Sequence, residues 1–213
     1  MSQNEKSQIL QEIIKTRRSV RKFSDERPAK EQIEKIILMG LDAPFAGAAV
    51  GENAGGNKDF RRFFVISKDS AAYKDLEIVV DKHLKAAVKK INSIPAKLMG
   101  VSKKLSKLSD RLKGAKLPDA PYIIIIAELN GVPSVAPQAL AHVVENMWLM
   151  ATAQGLGFQL LSMFETMKKN GELCKMLGIE QGAYSLLGCA IGVPKERLEP
   201  VKRIDPRVIT KWL

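Results

Sequence analysis

The chain has 213 residues, of which 46% are hydrophobic and 27% are charged, and its formal net charge is +11. This length and composition are typical of one globular domain, so we expect a single domain over residues 1–213. No window approaches the roughly 18 apolar residues of a membrane span, and the polar first residues lack the apolar segment of a signal peptide. The sequence therefore predicts a cytoplasmic protein without a transmembrane segment.

The first predicted element is a helix around residues 8–15, which is followed at once by a basic run. Four apolar side chains share one face of this helix, namely Ile9, Leu10, Ile13 and Ile14. The basic run contains Arg17, Arg18 and Arg21 around the hydroxyl of Ser19. A guanidinium group binds phosphate through two hydrogen bonds and is costly to bury without an anion. The run therefore indicates a phosphate or anionic-cofactor site, with a solvated basic turn as the alternative.

The next two predicted elements are a helix and a strand. The helix spans residues 29–41 and follows Pro28. The strand is predicted at residues 62–66, a short run that is rich in aromatic and β-branched side chains.

Residues 82–116 carry most of the charge of the chain. They contain eleven Lys or Arg residues and one acid, Asp110, which gives +10 of the total +11. Apolar residues recur there at helical spacing, at Leu98, Val101, Leu105, Leu108 and Leu112. The pattern predicts a basic amphipathic helix with one face on the core. Alternatives are a lid that attracts anionic substrates or a surface for an acidic partner or anionic lipid, and the absence of aromatic residues disfavours nucleic acid.

The last third of the chain alternates between strands and helices. Apolar runs predict strands at residues 122–127 and 184–193, and helical spacing predicts a helix over residues 137–154. Gly155 and Gly157 follow this helix, where a C-cap and a turn are the default interpretation. A Rossmann fold is excluded because no strand leads into a Gly-x-Gly-x-x-Gly turn.

Four segments along this chain occur in the order that is found in one family. They are residues 17–23, residues 57–65, residues 146–157, and the closing helix-to-strand segment within residues 177–194. Together they resemble the nitroreductase family of flavin enzymes. The resemblance implies an α+β fold in which a mostly antiparallel mixed sheet is flanked by helices, and an intertwined homodimer with the flavin at its interface.

The same resemblance assigns roles to the basic run. Arg17 and Ser19 match the family positions that meet the phosphate or ribityl chain of FMN, and Arg18 either joins them or points away. Arg21 matches the cation at the pyrimidine edge of the ring, where a positive charge favours the reduced ring. Further cofactor contacts are implied at Pro44, Phe45, Ala46, Asn57, Asp59, Ser162, Met163, Lys202 and Arg203.

The chain departs from the family after Pro44. Phe45 and a Gly- and Ala-rich insertion at residues 46–56 replace the expected serine, and Asn53 competes with Asn57 as the family asparagine. Asp59 stands in place of the usual glutamine. An acid there would oppose reduction of the ring unless Arg61 or another cation neutralises it.

Two other implied contacts carry their own alternatives. Ser162 and Met163 replace a Gly-containing pair whose backbone N–H groups face N5 of the flavin, and the backbone donors survive this change. Lys202 and Arg203 match a basic pair near the C terminus that contacts the flavin phosphate in the family. The alternative is that these two residues are simply solvated.

The resemblance implies an FMN-dependent oxidoreductase that takes a hydride from NADH or NADPH and passes it to an electron-poor small molecule such as a nitroaromatic or a quinone. Since the flavin performs the hydride transfer, no catalytic side chain is required. One alternative is other flavin chemistry on the same fold, such as reductive dehalogenation or flavin cleavage. Another is a flavin-carrying or binding protein with a decayed redox site and a basic docking surface.

No metal site or catalytic triad can be drawn from the sequence. The two histidines, His83 and His142, are far apart, and the two cysteines, Cys174 and Cys189, lack the spacing of a metal site. We expect His83 to be exposed and Cys189 to be a buried small apolar residue.

Overall fold

The computed structural model describes residues 1–44, 60–93, 102–131, 135–196, 198–201 and 203–212, and of residues 102–105 it describes only the backbone. The helices of these residues are α1 (Gln3–Thr16), α2 (Lys30–Leu41), α3 (Ala71–Asn92), α4 (Ser102–Lys113), α5 (Ala136–Ala153), α6 (Met163–Thr166), α7 (Gly171–Leu177) and α8 (Pro206–Ile209). The strands are β1 (Arg61–Ser67), β2 (Tyr122–Leu129), β3 (Gly157–Leu161) and β4 (Tyr184–Gly192).

The predicted elements correspond to α1, α2, β1, β2, α5 and β4, and the basic amphipathic helix corresponds in part to α4. Leu98 and Val101, which were assigned to that helix, lie outside the described residues. Strand β3 was missed, since only a turn was predicted after α5. Gly155 does form that turn, with a φ of 72° that favours glycine.

The four strands form one antiparallel sheet in the order β1-β2-β4-β3. Val65 lies opposite Ile124, and Ile124 lies opposite Cys189, so β2 is held on both sides. Among the described residues, the one parallel contact is an isolated bridge between Ser19 and Phe158. The predicted α+β class is confirmed.

Helices cover both faces of the sheet because β2 is apolar on both faces. Ile123 and Ile125 point into a core with α3, α6 and α7, whereas Ile124 and Ile126 point into a core with α2 and α5. All four side chains are fully buried. Cys189 belongs to the second core and is fully buried, which confirms the prediction for it. None of the described helices is both long and apolar enough to cross a membrane.

A buried ion pair joins the sheet to the end of α2. Nε of Arg61 donates to Oε2 of Glu128 at 2.8 Å, directly across the β1–β2 ladder. Nη1 donates to the carbonyl oxygens of Gly40 and Ala43, both at 3.0 Å, and Nη2 donates to that of Pro44 at 3.4 Å. The last carbonyls of a helix have no partner within it, so Arg61 caps α2 from the neighbouring strand.

Burial raises the pKa of Glu128 above its ordinary value, while the hydrogen bond and the charge of Arg61 act in the opposite direction. Both side chains are almost completely inaccessible to solvent. Each of the two buried charges therefore depends on the other, since either charge alone would be buried without compensation.

We predict that Glu128→Leu and Arg61→Leu each lower the free energy of unfolding by about 3–5 kcal/mol, because each leaves a buried partner unpaired. The double variant should lose clearly less than the sum of the two. Urea denaturation of the four proteins measures this coupling. Glu34→Leu, which breaks the exposed Lys30–Glu34 pair, is the control and should change stability by less than about 0.5 kcal/mol. Strict additivity of the two buried changes would contradict the prediction.

Candidate functional site

The basic run after α1 lies along the outer edge of β3. The backbone N–H of Val20 donates to the carbonyl of Phe158 at 3.0 Å, and Phe23 forms a second bridge with Pro194. Gly157 permits this approach, because a Cβ atom there would come within 2.8 Å of Cγ1 of Val20. A side chain at residue 157 would push the basic run away from the sheet.

Arg17 is held by side chains of α5. Its guanidinium carbon lies 4.3 Å from the ring centroid of Trp148, and its Nε lies 3.2 Å from Oε1 of Glu145. Trp148 stacks in turn on Phe158, with ring centroids 5.0 Å apart, and its Nε1 donates to the carbonyl of Arg18. The arginine is therefore oriented by a cation–π contact and an ion pair before any ligand arrives.

The Nε atom of Arg17 is a buried donor without an aligned hydrogen bond in the described part of the chain. Its ion pair with Glu145 is also partly exposed to solvent, which weakens it. Glu145 already supplies a carboxylate oxygen at 3.2 Å, and an anionic ligand would give this donor a better-aligned acceptor. Arg17 is therefore partly buried and oriented by α5, and its role as a phosphate ligand stays a prediction.

The other predicted residues of the basic run line a small recess of about 190 Å³. Arg18, Ser19 and Arg21 contribute to its wall, and Glu196 closes it from the other side. Glu196 is paired with Lys22 at 3.2 Å, whereas Arg18 and Arg21 form no ion pair with any residue that the structure describes. Arg21 is exposed and Arg18 is half-buried. The recess therefore has free cationic groups beside a hydroxyl.

Ser162 and Met163 lie at the far end of β3 from the basic run. β3 ends at Leu161, and α6 begins at Met163, so this pair forms the corner between them. At about 3.3 Å per residue, the distance along the strand from Phe158 to Ser162 is about 13 Å. The structure thus brings the basic run and the predicted backbone donors to one edge strand, at opposite ends of it.

A cavity of about 680 Å³ lies beside this corner, between α3, α4 and β3. Its wall is mostly apolar and includes Leu84, Leu108 and Leu112. Gln159 also lines it, and Oε1 of Gln159 is buried without a hydrogen-bond partner in the described residues. The volume and the apolar lining of this cavity are typical of a small-molecule site.

His83 links α3 to the corner. Its Nε2 lies 2.9 Å from Oγ1 of Thr166, and that hydroxyl donates to the carbonyl of Met163 at 2.8 Å. Since the hydroxyl proton of Thr166 is donated to that carbonyl, Nε2 of His83 carries a hydrogen and donates it to Oγ1 of Thr166. Burial lowers the pKa of His83. His83 is half-buried rather than fully exposed, because its ring lies in the wall of the cavity.

The predicted apolar face of α4 is only partly correct. Leu112 packs against the core, but Leu108 is 44% exposed. Among the described side chains of this helix, Ser109 is the most buried, and its hydroxyl donates to Oδ1 of Asn92 at 3.0 Å. A polar contact with α3 therefore replaces one expected apolar contact, and Leu108 turns toward the cavity.

Only some of the remaining predicted contacts can be located. Pro44 is exposed, and its carbonyl accepts from Arg61. Arg61 is engaged by Glu128 and the end of α2, so its suggested role of neutralising Asp59 is not supported. Arg203 is exposed and forms no ion pair with the described residues. Five predicted contacts lie outside the described residues, namely Phe45, Ala46, Asn57, Asp59 and Lys202, as does the competing Asn53.

Comparison with known proteins gives the family of this chain. Residues 14–193 match the sequence model of the nitroreductase family. The chain belongs to the nitroreductase family. A relative from Archaeoglobus fulgidus is 25% identical over 210 residues, covering 94% of this chain and 97% of its own, and has the provisional name NADH dehydrogenase/NAD(P)H nitroreductase.

Solved structures of nitroreductase-like proteins share the fold. A BluB-like flavoprotein from Clostridium difficile 630 has a TM-score of 0.70 at 21% identity, with 96% of this chain and 98% of that chain covered. A nitroreductase from Desulfitobacterium hafniense DCB-2, crystallised with bound FMN, has a TM-score of 0.66 at 20% identity and the same coverage.

Because burial lowers the pKa of His83, the unfolded chain binds this proton more readily than the folded protein does, and stability falls as the pH falls. We predict that the wild type loses more free energy of unfolding than His83→Gln between about pH 7.5 and about pH 5.5. Urea denaturation at both pH values measures the difference. His142→Gln, at an exposed position of α5, should behave like the wild type. Equal losses in the wild type and His83→Gln would show that His83 is not buried as described.

Proposed function

We propose that this chain is an FMN-dependent oxidoreductase that passes a hydride from NADH or NADPH through the flavin to an electron-poor small molecule. The proposal is supported chiefly by Arg17, whose buried Nε has no aligned hydrogen bond although Glu145 lies 3.2 Å away, beside the edge strand that leads to the Ser162–Met163 corner. Family membership gives the chemistry, and the names of several relatives point to FMN and NAD(P)H. The cytoplasmic location stays a prediction from the sequence.

The residues of the β3 edge fit a phosphorylated flavin. Arg17 and Ser19 would hold the phosphate through charge-assisted and hydroxyl hydrogen bonds, with Arg18 at the recess beside them. Arg21 would supply the positive charge that favours the reduced ring. The backbone N–H groups of the Ser162–Met163 corner would orient the ring. FMN supplies the hydride transfer when it is bound, so the chain itself needs only to bind, orient and exclude water.

The simplest test of this proposal is optical. Purified protein should be yellow or become yellow with added FMN, lose that colour under anaerobic NADH or NADPH, and regain it when a nitroaromatic or quinone is added. A protein that stays colourless and refuses FMN would instead favour a binding protein with a decayed redox site.

We predict that Arg17→Ala weakens FMN retention by about ten- to hundredfold, since one charge-assisted hydrogen bond contributes about 1.5–3 kcal/mol. The FMN affinity of Arg17→Lys should lie between those of the wild type and Arg17→Ala, because lysine keeps the charge and lacks the planar guanidinium group. Fluorescence titration of the apoprotein with FMN gives the affinities. Lys15→Ala, at an exposed position in the last turn of α1, is the matched control and should bind like the wild type. Unchanged affinity in folded Arg17→Ala would remove the phosphate assignment.

We also propose that the chain forms a homodimer. Although α1 is amphipathic, none of its residues is buried, and Ile9, Leu10 and Ile14 are 44–52% exposed. Near the end of the described chain, Val208 and Trp212 are 77% and 93% exposed. Apolar surface of this kind is typical of a protein interface.

For the homodimer, we predict that Leu10→Asp shifts the flavin-loaded protein toward monomers, because a charge would be buried in the interface. Light scattering coupled to size-exclusion chromatography measures the mass. Gln8→Asp introduces the same charge two residues away at a polar, exposed position and should leave the mass unchanged. A wild-type protein that elutes as a flavin-loaded monomer would exclude the dimer.

A further inference from the structure

We infer that the cavity between α3, α4 and the corner of β3 binds the electron acceptor and selects acceptors that combine an apolar body with a negative charge. This inference rests on the proposed function and names the substrate class of the same site. It depends on three features of the described residues, which are the apolar wall, an unpaired acceptor atom and an excess of positive charge.

The wall of the cavity is built by the two helices that carry the basic segment. Ala87 of α3 and Leu108 and Leu112 of α4 face it, and Met163 of the corner closes it beside the predicted flavin contacts. The cavity volume of about 680 Å³ and its mostly apolar wall suit a ring-sized molecule. The acceptor would therefore lie next to the corner that orients the flavin.

Gln159 gives the cavity a directional polar group. Its Oε1 atom is buried and has no hydrogen-bond partner among the described residues. A buried acceptor without a donor is costly, so a ligand with a hydroxyl or N–H group would relieve this cost. The side chain is on β3, whose backbone is held by β4, and its position is therefore well defined.

One lysine at the cavity has no acidic partner among the described residues. Lys90 lines the cavity directly. Of the other basic residues of the segment, Lys82 is paired with Glu172 and Lys113 with Asp110. Lys90 forms no ion pair in the part of the chain that the structure describes. An uncompensated cation at an apolar cavity attracts anions over a range of about 8–10 Å at ordinary salt.

The test compares 4-nitrobenzoate with methyl 4-nitrobenzoate, which share ring and nitro group, both lack a hydrogen-bond donor, and differ in charge. Calorimetric titration into the oxidised, flavin-loaded protein without nicotinamide measures binding in the absence of turnover. We expect the carboxylate to bind roughly three- to tenfold more tightly and to lose this advantage at high salt. Lys90→Met should abolish the preference, and Lys89→Met, which removes the same charge from the neighbouring exposed residue that does not line the cavity, should retain it.

A second variant locates the site without relying on charge. Ala87→Phe fills the cavity and should weaken binding of both compounds at least tenfold, whereas Ala72→Phe at an exposed position of the same helix should not. Equal affinity of the two compounds, or binding that Ala87→Phe leaves intact, would overturn the inference. Loss of FMN from Ala87→Phe would also overturn it, because the cavity would then hold the flavin.

The two proposals can fail separately. If both nitro compounds are reduced equally well and Ala87→Phe has no effect, the oxidoreductase function stands and the cavity inference falls. The opposite result is also possible, in which the purified protein binds no flavin, still binds the carboxylate more tightly, and no longer binds it in Ala87→Phe. The oxidoreductase function would then be wrong, and the cavity would remain a site for apolar anions.

Discussion

The buried pair of Arg61 and Glu128 is the interaction on which the arrangement of this molecule depends. It joins β1 to β2, and the four remaining hydrogen bonds of Arg61 cap α2 and reach Pro44. A charged pair in this position contributes little net stability, because desolvation offsets much of the attraction. Its effect is on the specificity of strand pairing, since a shift of one residue between β1 and β2 would leave two charges buried and unpaired.

Most of the architecture could be predicted from periodicity. The continuous apolar run of β2 indicated a strand buried on both faces, and the spacing within α5 indicated a helix. Strand β3 could not be predicted, because five residues that begin with a glycine and include a glutamine give no clear alternation. The strand is stabilised by its ladder with β4, a long-range contact that local sequence does not reveal. The buried side of α4 was misjudged for a similar reason, since Ser109 is buried by its bond to Asn92.

The sequence indicated only part of the candidate site. The chemistry of the basic run pointed to an anion, and the resemblance to the nitroreductase family gave the roles. Neither could show that Arg17 rests on Trp148 and Glu145, because residues about 130 positions apart meet only in the folded chain. The same holds for His83, because its partner Thr166 in the same cavity wall lies 83 positions further along the chain. A lone histidine in a lysine-rich helix carries no local signal of such a contact.

The contact between Arg17 and Trp148 gives the protein an internal optical probe. Trp148 is one of two tryptophans in the chain, and the other, Trp212, is 93% exposed. Trp148 is packed on Phe158 beneath a cation, whereas Trp212 belongs to the apolar surface that the proposed homodimer would cover. Because the guanidinium group lies on the Trp148 ring, any movement of Arg17 toward an anion would alter the emission of that buried ring. Occupancy of the phosphate position could thus be followed without a label.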